Sequence, residues 1–172
     1  MVQNEIETTY LATALPEGLE QAPSKVIVDT YFPGDSVHAK LRIRQKGETY
    51  TLTKKTLVNP DDASTQIEEN IELTADEYAA LRQGNGKTVA KIRYEMQIGP
   101  HTAEVDVFTG DLKGLVLVDF EFETVEARDA FIKPDFCGPD VTQEDFIAGG
   151  VLAGKSLSDI EADLARYDYT AL

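Results

Sequence analysis

The chain lacks most of the features that mark a protein for export, for a membrane or for nucleic acid. Its 172 residues include one cysteine, Cys137, which can form neither an internal disulfide nor a thiolate metal site. No stretch of about 18 apolar residues is present, and the first residues show neither the basic nor the apolar region of a signal peptide. Only 16 Lys and Arg stand against 31 Asp and Glu, which disfavours a surface that wraps nucleic acid. These absences predict one globular domain, residues 1–172, in the reducing cytoplasm and off the membrane.

What the chain does contain is a strict alternation of apolar and polar residues, the pattern of a half-buried β-strand. Turn-forming residues such as Pro33-Gly34-Asp35 and Lys46-Gly47-Glu48 separate most of the alternating segments. Short turns of this kind join antiparallel neighbours. The predicted strands are residues 4–12, 25–32, 37–45, 49–57, 66–73, 88–96, 102–108 and 115–123.

Three further segments predict helices that flank the strands. Thr74 and Glu77 form a capping box, which begins a helix that ends before Gly84. A second helix is predicted over about residues 125–132, and a third over about residues 156–167, where apolar residues recur at helical spacing.

The charged faces of the strands are sorted by sign. Like charges two residues apart on one strand repel each other, so this sorting costs stability unless opposite charges lie between the strands. The acidic sets are Glu5 with Glu7, Glu104 with Asp106, and Asp119 with Glu121, and the basic sets are Lys40 with Arg42 and Arg44, and Lys91 with Arg93.

Two interpretations of this sorting compete. Acidic and basic strands can be neighbours that form ion pairs on a solvated surface, each worth about 0–1 kcal/mol. Alternatively, the charged faces line the lumen of a closed barrel, and the apolar faces point outward under the helices. Such a lumen calls for a polyphosphate to neutralise Arg and Lys, and for divalent metal ions to neutralise the carboxylates. Because five strands are sorted, we favour an α+β fold built on an eight-stranded, antiparallel, closed β-tunnel.

Other reactive residue types offer little. His38 and His101 are isolated from each other, and we interpret both as surface or turn residues. Cys137 has no basic neighbour nearer than Lys133, which indicates an inert thiol. No glycine-rich phosphate loop is present, so a bound phosphate would be held by side chains.

Several short motifs, in this order and spacing, resemble the CYTH domains, also called triphosphate tunnel metalloenzymes. The resemblance spans about residues 5–153, and it implies an eight-stranded antiparallel tunnel that binds a triphosphate with Mg²⁺ or Mn²⁺. Known activities of the family are tripolyphosphatase, thiamine triphosphatase, adenylyl cyclase and RNA triphosphatase. The motifs are EIETTYLA, DTYF, LRIRQKG, LTKK, KIRY, EVDVF and LVDFEF.

The resemblance also implies residue roles. Arg suits phosphate because its planar fork holds two oxygens, whereas Lys acts as a point charge. In the family, one metal would clamp the triphosphate and a second would position the attacking water. Glu5 and Glu7, as metal ligands of the opening motif, are the catalytic candidates. The phosphate-binding candidates are Arg42, Arg44, Lys55, Lys91 and Arg93, with Lys55 preferred to Lys54. The metal-binding candidates are Glu5, Glu7, Asp119 and Glu121, with Glu104 and Asp106 close by.

The chain departs from the family pattern on three strands and after Val141-Thr142, where residues 145–150 (DFIAGG) stand in place of a basic and aromatic stretch that helps to plug the tunnel in many bacterial members. Thr9 stands where the opening signature has Lys, which counts against hydrolysis more than against binding. On the fifth strand Gln66 and Asn70 stand where an Arg and a Glu are common, and Asp119 replaces the usual Glu.

The expected function is therefore metal-dependent hydrolysis of the terminal phosphate of a small triphosphate, with inorganic tripolyphosphate as the substrate. Three alternatives remain: an adenylyl cyclase of the same fold, a polyphosphate- or triphosphate-binding module without turnover, and a structural barrel whose charges pair with one another. The oligomeric state stays open, a homodimer included.

Overall fold

The computed structural model describes residues 2–172, and in this range nine strands form one antiparallel sheet. Eight of them match the predicted segments, with ends shifted by a few residues. The strands are β1 (Val2–Ala12), β2 (Ser24–Phe32), β3 (Leu41–Lys46), β4 (Thr49–Asn59), β5 (Asp62–Leu73), β6 (Lys87–Ile98), β7 (His101–Phe108), β8 (Val116–Phe122) and β9 (Cys137–Asp140).

The sheet closes on itself. Its strand order is β5-β4-β3-β2-β6-β7-β8-β1, and β1 also pairs with β5. Closure is achieved because β1 is long: its first half, through Ile6, pairs with β5, and residues 6–11 pair with β8. The prediction of a closed, eight-stranded antiparallel barrel is confirmed.

Two strand predictions need correction. The segment 37–45 becomes a strand only from Leu41, where pairing with both β2 and β4 begins. Val37 imitates the alternation of a strand but is 82% exposed. Conversely, the short strand β9 was not predicted, because Gly138 and Pro139 break any apolar alternation there. It extends the sheet beside β1 through Tyr10 and Ala12.

The helices are short and lie outside the barrel. The capping box at Thr74 is present, since the Glu77 carboxylate accepts a hydrogen bond from the Thr74 amide at 2.8 Å. The predicted helix 125–132 ends early, where the chain turns and Phe131 packs on Phe120 at a centroid distance of 4.5 Å. The predicted helix 156–167 is divided at residue 160 into a 3₁₀ turn and an α-helix. The α-helices are α1 (Ala75–Arg82), α2 (Val125–Asp129), α3 (Gly149–Leu152) and α4 (Glu161–Ala165).

Over residues 2–172, none of the helices combines the length and the apolar character that a transmembrane helix needs.

The outer face of the barrel is only partly covered. One apolar cluster packs the outer sides of β1, β7 and β8 against Phe131 and Phe136 from the segment around and after α2. Elsewhere Val26 on β2 is 57% exposed and Ile71 on β5 is 61% exposed. The expectation that helices cover the whole apolar exterior is therefore wrong, because α1, with eight residues, is too short to span the remaining strands.

A second apolar cluster closes one end of the lumen. Residues 141–153, which we call the plug, insert Val141, Phe146 and Leu152 against Leu11 and Phe108 of the barrel wall. The plug approaches the wall so closely that a Cβ at position 150 would lie 1.9 Å from the Ala39 carbonyl oxygen. Glycine at this position is therefore required for closure.

Candidate active site

The barrel encloses a cavity of about 580 Å³ whose wall is formed by the inward faces of the strands. Successive side chains on a strand point to opposite faces, so a sign-sorted face can turn inward as a unit. The sequence-based prediction of a shared central cavity is confirmed. Every predicted site residue lines it, namely Glu5, Glu7, Arg42, Arg44, Lys55, Lys91, Arg93, Glu104, Asp106, Asp119 and Glu121.

The strand register sets acids beside bases within the lumen. Arg44 lies opposite Asp29, Arg93 opposite Asp106, and Lys55 opposite Glu68. Each of the two interpretations of the sorted charges is therefore correct in part. The ion pairs exist, but they line an interior cavity instead of a solvated surface.

Arg44 makes the most regular of these pairs. Its Nε and Nη2 each donate to one carboxylate oxygen of Asp29 at 2.7 Å. Burial acts to raise the pKa of Asp29, but the Arg44 guanidinium outweighs it and holds that pKa well below its usual range. Asp29 was not among the predicted site residues, since it shares its strand face with Ile27 and Tyr31 and belongs to no acidic pair.

Arg93 is held by three carboxylates. Its Nε and Nη2 donate to Asp106 at 2.7 and 2.6 Å, Nη2 also contacts Asp119 at 3.2 Å, and Nη1 donates to Glu104. Lys91 donates to Asp106 as well. Although burial acts to raise the pKa of Asp106, these two cations lower it to about 2. We call Asp29, Arg44, Lys91, Arg93 and Asp106 the paired wall.

Lys55 lies among the acids of β1 and β5. Its ammonium donates to Glu5 and lies 3.4 Å from Glu68 and 3.7 Å from Glu7. Burial opposes the charged ammonium, yet the carboxylates of Glu7 and Glu5 raise the pKa of Lys55 to about 12. The exposed Lys54 belongs to the opposite face of β4 and does not line the cavity, as predicted.

Arg42 makes longer contacts than Arg44, Lys55, Lys91 and Arg93. Its nearest polar contacts are long, 3.4 Å to the Tyr31 hydroxyl and 3.5 Å to Glu68. Its Nε is buried and finds no hydrogen-bond partner within residues 2–172. An incoming anion can therefore bind Arg42 without first displacing a close carboxylate.

The acids on the β7–β8–β1 side crowd together. Glu7 lies directly opposite Glu121, and Asp119 lies opposite Glu104. Burial, with the help of Glu5, raises the pKa of Glu7 to about 7 despite the nearby Lys55. Burial and Glu104 likewise raise the pKa of Glu121. We call this region the acid wall, formed by Glu5, Glu7, Glu104, Asp119 and Glu121.

The acid wall has the donor chemistry that a hard divalent cation prefers, because all its ligand atoms are carboxylate oxygens. Its like charges raise carboxyl pKa values, and a bound cation would relieve that repulsion. In the described part of the chain, no three acidic, His or Cys side chains already converge on one point as a metal site. The donors of the acid wall therefore fit a hard divalent cation in kind.

At two of the departures from the family pattern, a neutral side chain donates to an acid. The Thr9 hydroxyl donates to Asp119 Oδ1 at 2.7 Å. The Asn70 amide donates to Glu68 Oε1 at 2.6 Å and accepts from Thr53 at 2.6 Å. Glu68 was also missed as a site residue, because its only acidic neighbour on that face of β5 has been replaced by an amide.

The remaining singled-out residues have distinct places. His38 lies in a turn, as predicted, but it also lines the cavity, with Nδ1 at 3.7 Å from Asp145 of the plug. His101 instead begins β7 and packs edge-on against Phe131 at 5.1 Å. Cys137 is buried, and burial raises the pKa of its thiol to about 12, which agrees with an inert cysteine.

A lumen of this kind, with guanidinium and ammonium groups facing carboxylates, is chemically suited to a phosphate-rich ligand that is accompanied by cations. No protein-family model matches the chain. It is 33% identical over 143 residues to the inorganic triphosphatase of Nitrosomonas europaea, a match that covers 81% of this chain and 90% of the relative. The chain therefore belongs to the family of inorganic triphosphatases.

Solved structures agree with this assignment. The crystal structure of an inorganic triphosphatase superposes with a TM-score of 0.64 at 27% identity, over 88% of this chain and 95% of the other. A Bacillus halodurans protein that carries the name of an adenylate cyclase superposes with a TM-score of 0.55 over 94% and 97% of the two chains. At 20% identity, the latter shows the shared fold alone.

Proposed function

We propose that this protein is a triphosphate tunnel metalloenzyme of the CYTH type that hydrolyses the terminal phosphate of inorganic tripolyphosphate with Mg²⁺ or Mn²⁺. The observation that carries the proposal is the convergence of sign-sorted side chains on one enclosed cavity. The 33% sequence identity between this chain and the inorganic triphosphatase of Nitrosomonas europaea supports the same reaction. We further propose that residues 1–172 act as one cytoplasmic domain on a small triphosphate.

The cations of the lumen hold the triphosphate in this proposal. Arg42 is the first contact, because its guanidinium makes only long contacts, 3.4 Å to Tyr31 and 3.5 Å to Glu68, and its Nε has no hydrogen-bond partner in the described chain. Arg44, Lys55, Lys91 and Arg93 surround the rest of the chain of phosphates. Because carboxylates now neutralise these four, phosphate oxygens have to replace carboxylate oxygens on at least some of them when substrate binds.

The carboxylates released in that exchange hold the divalent cation. Glu5, Glu7, Asp119 and Glu121 are the proposed ligands, with Glu104 and Asp106 beside them. When bound, such an ion supplies charge neutralisation for the phosphates and activates water. Binding of the metal and of the triphosphate is therefore expected to be mutually reinforcing, since each ligand takes one partner of the same ion pairs.

Hydrolysis needs an oriented water at the terminal phosphorus. In our proposal the carboxylate oxygens of Glu5 and Glu7 orient this water, while Arg42 and Lys55 hold the phosphoryl oxygens. The water oxygen attacks in line, and the bond between the terminal phosphorus and the bridging oxygen breaks. One tripolyphosphate and one water give orthophosphate and pyrophosphate.

A second candidate is a triphosphate-binding protein without turnover. It is favoured by Thr9, a neutral residue at the position where the family signature has Lys. Tight, metal-dependent binding of tripolyphosphate without release of orthophosphate would select it.

The test is a panel of tripolyphosphate, thiamine triphosphate and ATP, each with Mg²⁺, Mn²⁺ or EDTA, with orthophosphate, pyrophosphate and cyclic AMP measured. We expect metal-dependent orthophosphate release, fastest with tripolyphosphate. Lys55→Ala should lose it, and the outward-facing neighbour Lys54→Ala is the matched control. Pyrophosphate and cyclic AMP from ATP would identify a cyclase instead. A melting temperature that no triphosphate raises would identify a structural barrel.

A further inference from the structure

The side chain of Thr9 occupies a defined place between the acid wall and the paired wall. Thr9 is buried on the inner face of β1, directly opposite Asp119 of β8. Its hydroxyl donates to Asp119 Oδ1 at 2.7 Å, while Asp119 Oδ2 accepts from Arg93 Nη2 at 3.2 Å. Each oxygen of this carboxylate thus has a donor of its own.

The backbone of Thr9 is held by the start of the plug. Its amide donates to Thr142 Oγ1 at 3.0 Å, and its carbonyl accepts from the Val141 amide at 2.9 Å. Thr142 in turn donates to Asp140 at 2.5 Å. Because these contacts fix the strand on which the hydroxyl sits, the Thr9–Asp119 hydrogen bond has a rigid base.

Asp119 needs such a constraint more than a surface acid does. Rotation about the last bond of an aspartate is broad and only weakly restricted by its own rotamer. Asp119 also lies opposite Glu104, whose like charge favours turning the carboxylate away. The 2.7 Å hydrogen bond from Thr9 opposes both tendencies and sets the plane of the carboxylate.

We propose that Thr9 is a positioning residue, whose hydroxyl sets the Asp119 carboxylate in the orientation that binds a divalent cation. The inference rests on the proposed function, because Asp119 is taken there as a metal ligand. It gives the neutral residue at this position a use in metal binding, where the sequence alone suggested a loss of function.

The experiment compares Thr9→Val, which keeps the shape but removes the hydroxyl, with Thr9→Ser, which keeps the hydroxyl. Thr8→Val is the matched control, because Thr8 is equally buried but belongs to the other face of β1 and does not line the cavity. The first measurement is the dissociation constant for Mn²⁺ alone, by calorimetry and by the Mn²⁺-induced rise in melting temperature. The second is steady-state hydrolysis of tripolyphosphate.

We expect Thr9→Val to weaken Mn²⁺ binding by about 10–100-fold, the usual effect of losing a group that orients a metal ligand. At subsaturating Mn²⁺, hydrolysis of tripolyphosphate should fall in kcat/KM, and saturating Mn²⁺ should restore most of the loss. Thr9→Ser and Thr8→Val should stay within about threefold of the wild type. If Thr9→Val does not fold by circular dichroism, Thr9→Ala serves as the second variant without a hydroxyl.

Wild-type affinity for Mn²⁺ in Thr9→Val would overturn the inference, and so would equal weakening in Thr9→Ser, which would point to packing. A wild-type protein that binds no Mn²⁺ would overturn it as well. A third outcome is that the wild type binds Mn²⁺ but releases no orthophosphate, and that Thr9→Val binds Mn²⁺ more weakly. That outcome would refute the proposed hydrolysis alone, and the positioning role of Thr9 would stand.

Discussion

The paired wall and the acid wall lie in one cavity, yet they satisfy their charges differently. In the paired wall each carboxylate has a cation at hydrogen-bond distance, as in the two 2.7 Å bonds from Arg44 to Asp29. In the acid wall Glu5 and Glu104 also contact a cation, but Glu7 lies opposite Glu121, another carboxylate. The pKa values of the acids follow this difference. The pKa of Asp29 lies below its usual range, whereas burial and acidic neighbours raise the pKa of Glu7 to about 7.

This difference predicts which property of the protein a substitution in each wall changes first. Buried charges that are fully paired cost little to keep but a great deal to break. Buried like charges lower the stability of the folded protein, and a protein retains them where a bound ligand relieves their repulsion. We therefore expect substitutions in the paired wall to act first on stability, and substitutions in the acid wall to act first on turnover.

The largest effect is expected from Asp29→Asn in the paired wall. The variant leaves the Arg44 guanidinium buried without an ionised partner, which costs about 3–5 kcal/mol of unfolding free energy. Urea unfolding with EDTA present measures the loss. A change below about 1 kcal/mol would mean that the two walls do not differ in their structural role.

Acid titration of the same pair gives an independent check. The pKa of Asp29 is lower in the folded protein than its ordinary value of 3.8. Its contribution to stability is therefore present above that value and is lost as the pH falls toward the folded pKa. The wild type should lose stability below about pH 4, and Asp29→Asn should show a shallower acid limb.

Glu7→Gln in the acid wall should act in the opposite way. Residues that merely orient a metal ligand are worth about 10–100-fold, so loss of a proposed ligand should reduce metal-dependent turnover by at least about 100-fold. The metal-free melting temperature at pH 8 should stay equal or rise, because the charge opposite Glu121 is gone. Glu69→Gln, an exposed acid one residue beyond Glu68, is the control. A large fall in melting temperature with intact turnover would reverse the assignment of the two walls.

Arg42→Ala tests whether the weakly paired cation is the one that serves the ligand. Truncating one side of a buried charged contact costs about 2 kcal/mol or more, so tripolyphosphate should bind about 30-fold more weakly or worse. Its effect on metal-free stability should be small next to that of Arg44→Ala, which removes the partner of Asp29. Calorimetric titration and urea unfolding of both variants measure the contrast, and equal profiles would contradict it.

The smallest effect is expected at the barrel rim. Lys46 and Glu95 form an ion pair at 3.2 Å with side chains that are 29% and 44% exposed. Such pairs contribute about 0–1 kcal/mol, so Lys46→Ala should change stability little and only at low salt. A loss of unfolding free energy as large as that of Asp29→Asn would show that the exposure of an ion pair does not determine how much it stabilises this protein.

Much of the barrel was predictable because strand patterning is local. The alternation in LRIRQKG and KIRY placed Arg42, Arg44, Lys91 and Arg93 on inward faces without any knowledge of their neighbours. The exceptions have local causes as well. Val37 imitated a strand that has no partner to pair with, and β9 carries Gly and Pro in place of an alternating pattern.

The partners of these side chains were beyond sequence reasoning. Lys55 meets Glu5 across 50 residues of chain, and Arg93 meets Asp119 across 26. Asp29 and Glu68 were missed because neither has a second acid two residues away on its own strand, so only their cross-strand partners identify them as site residues. His38 lines the cavity and lies 3.7 Å from Asp145 of the plug, a residue far from it along the chain.

The sequence by itself determined which side chains share a face, because that depends on a period of two along each strand. Only the tertiary structure decided which charges meet, because the pairing depends on the register between strands and on the closure of β1 against both β5 and β8. That register set Arg44 opposite Asp29, left Arg42 with only long contacts to Tyr31 and Glu68, and set Thr9 opposite Asp119. The sequence of each strand therefore determined which charged side chains face the lumen. The pairing between strands determined which of them form the paired wall and which form the acid wall.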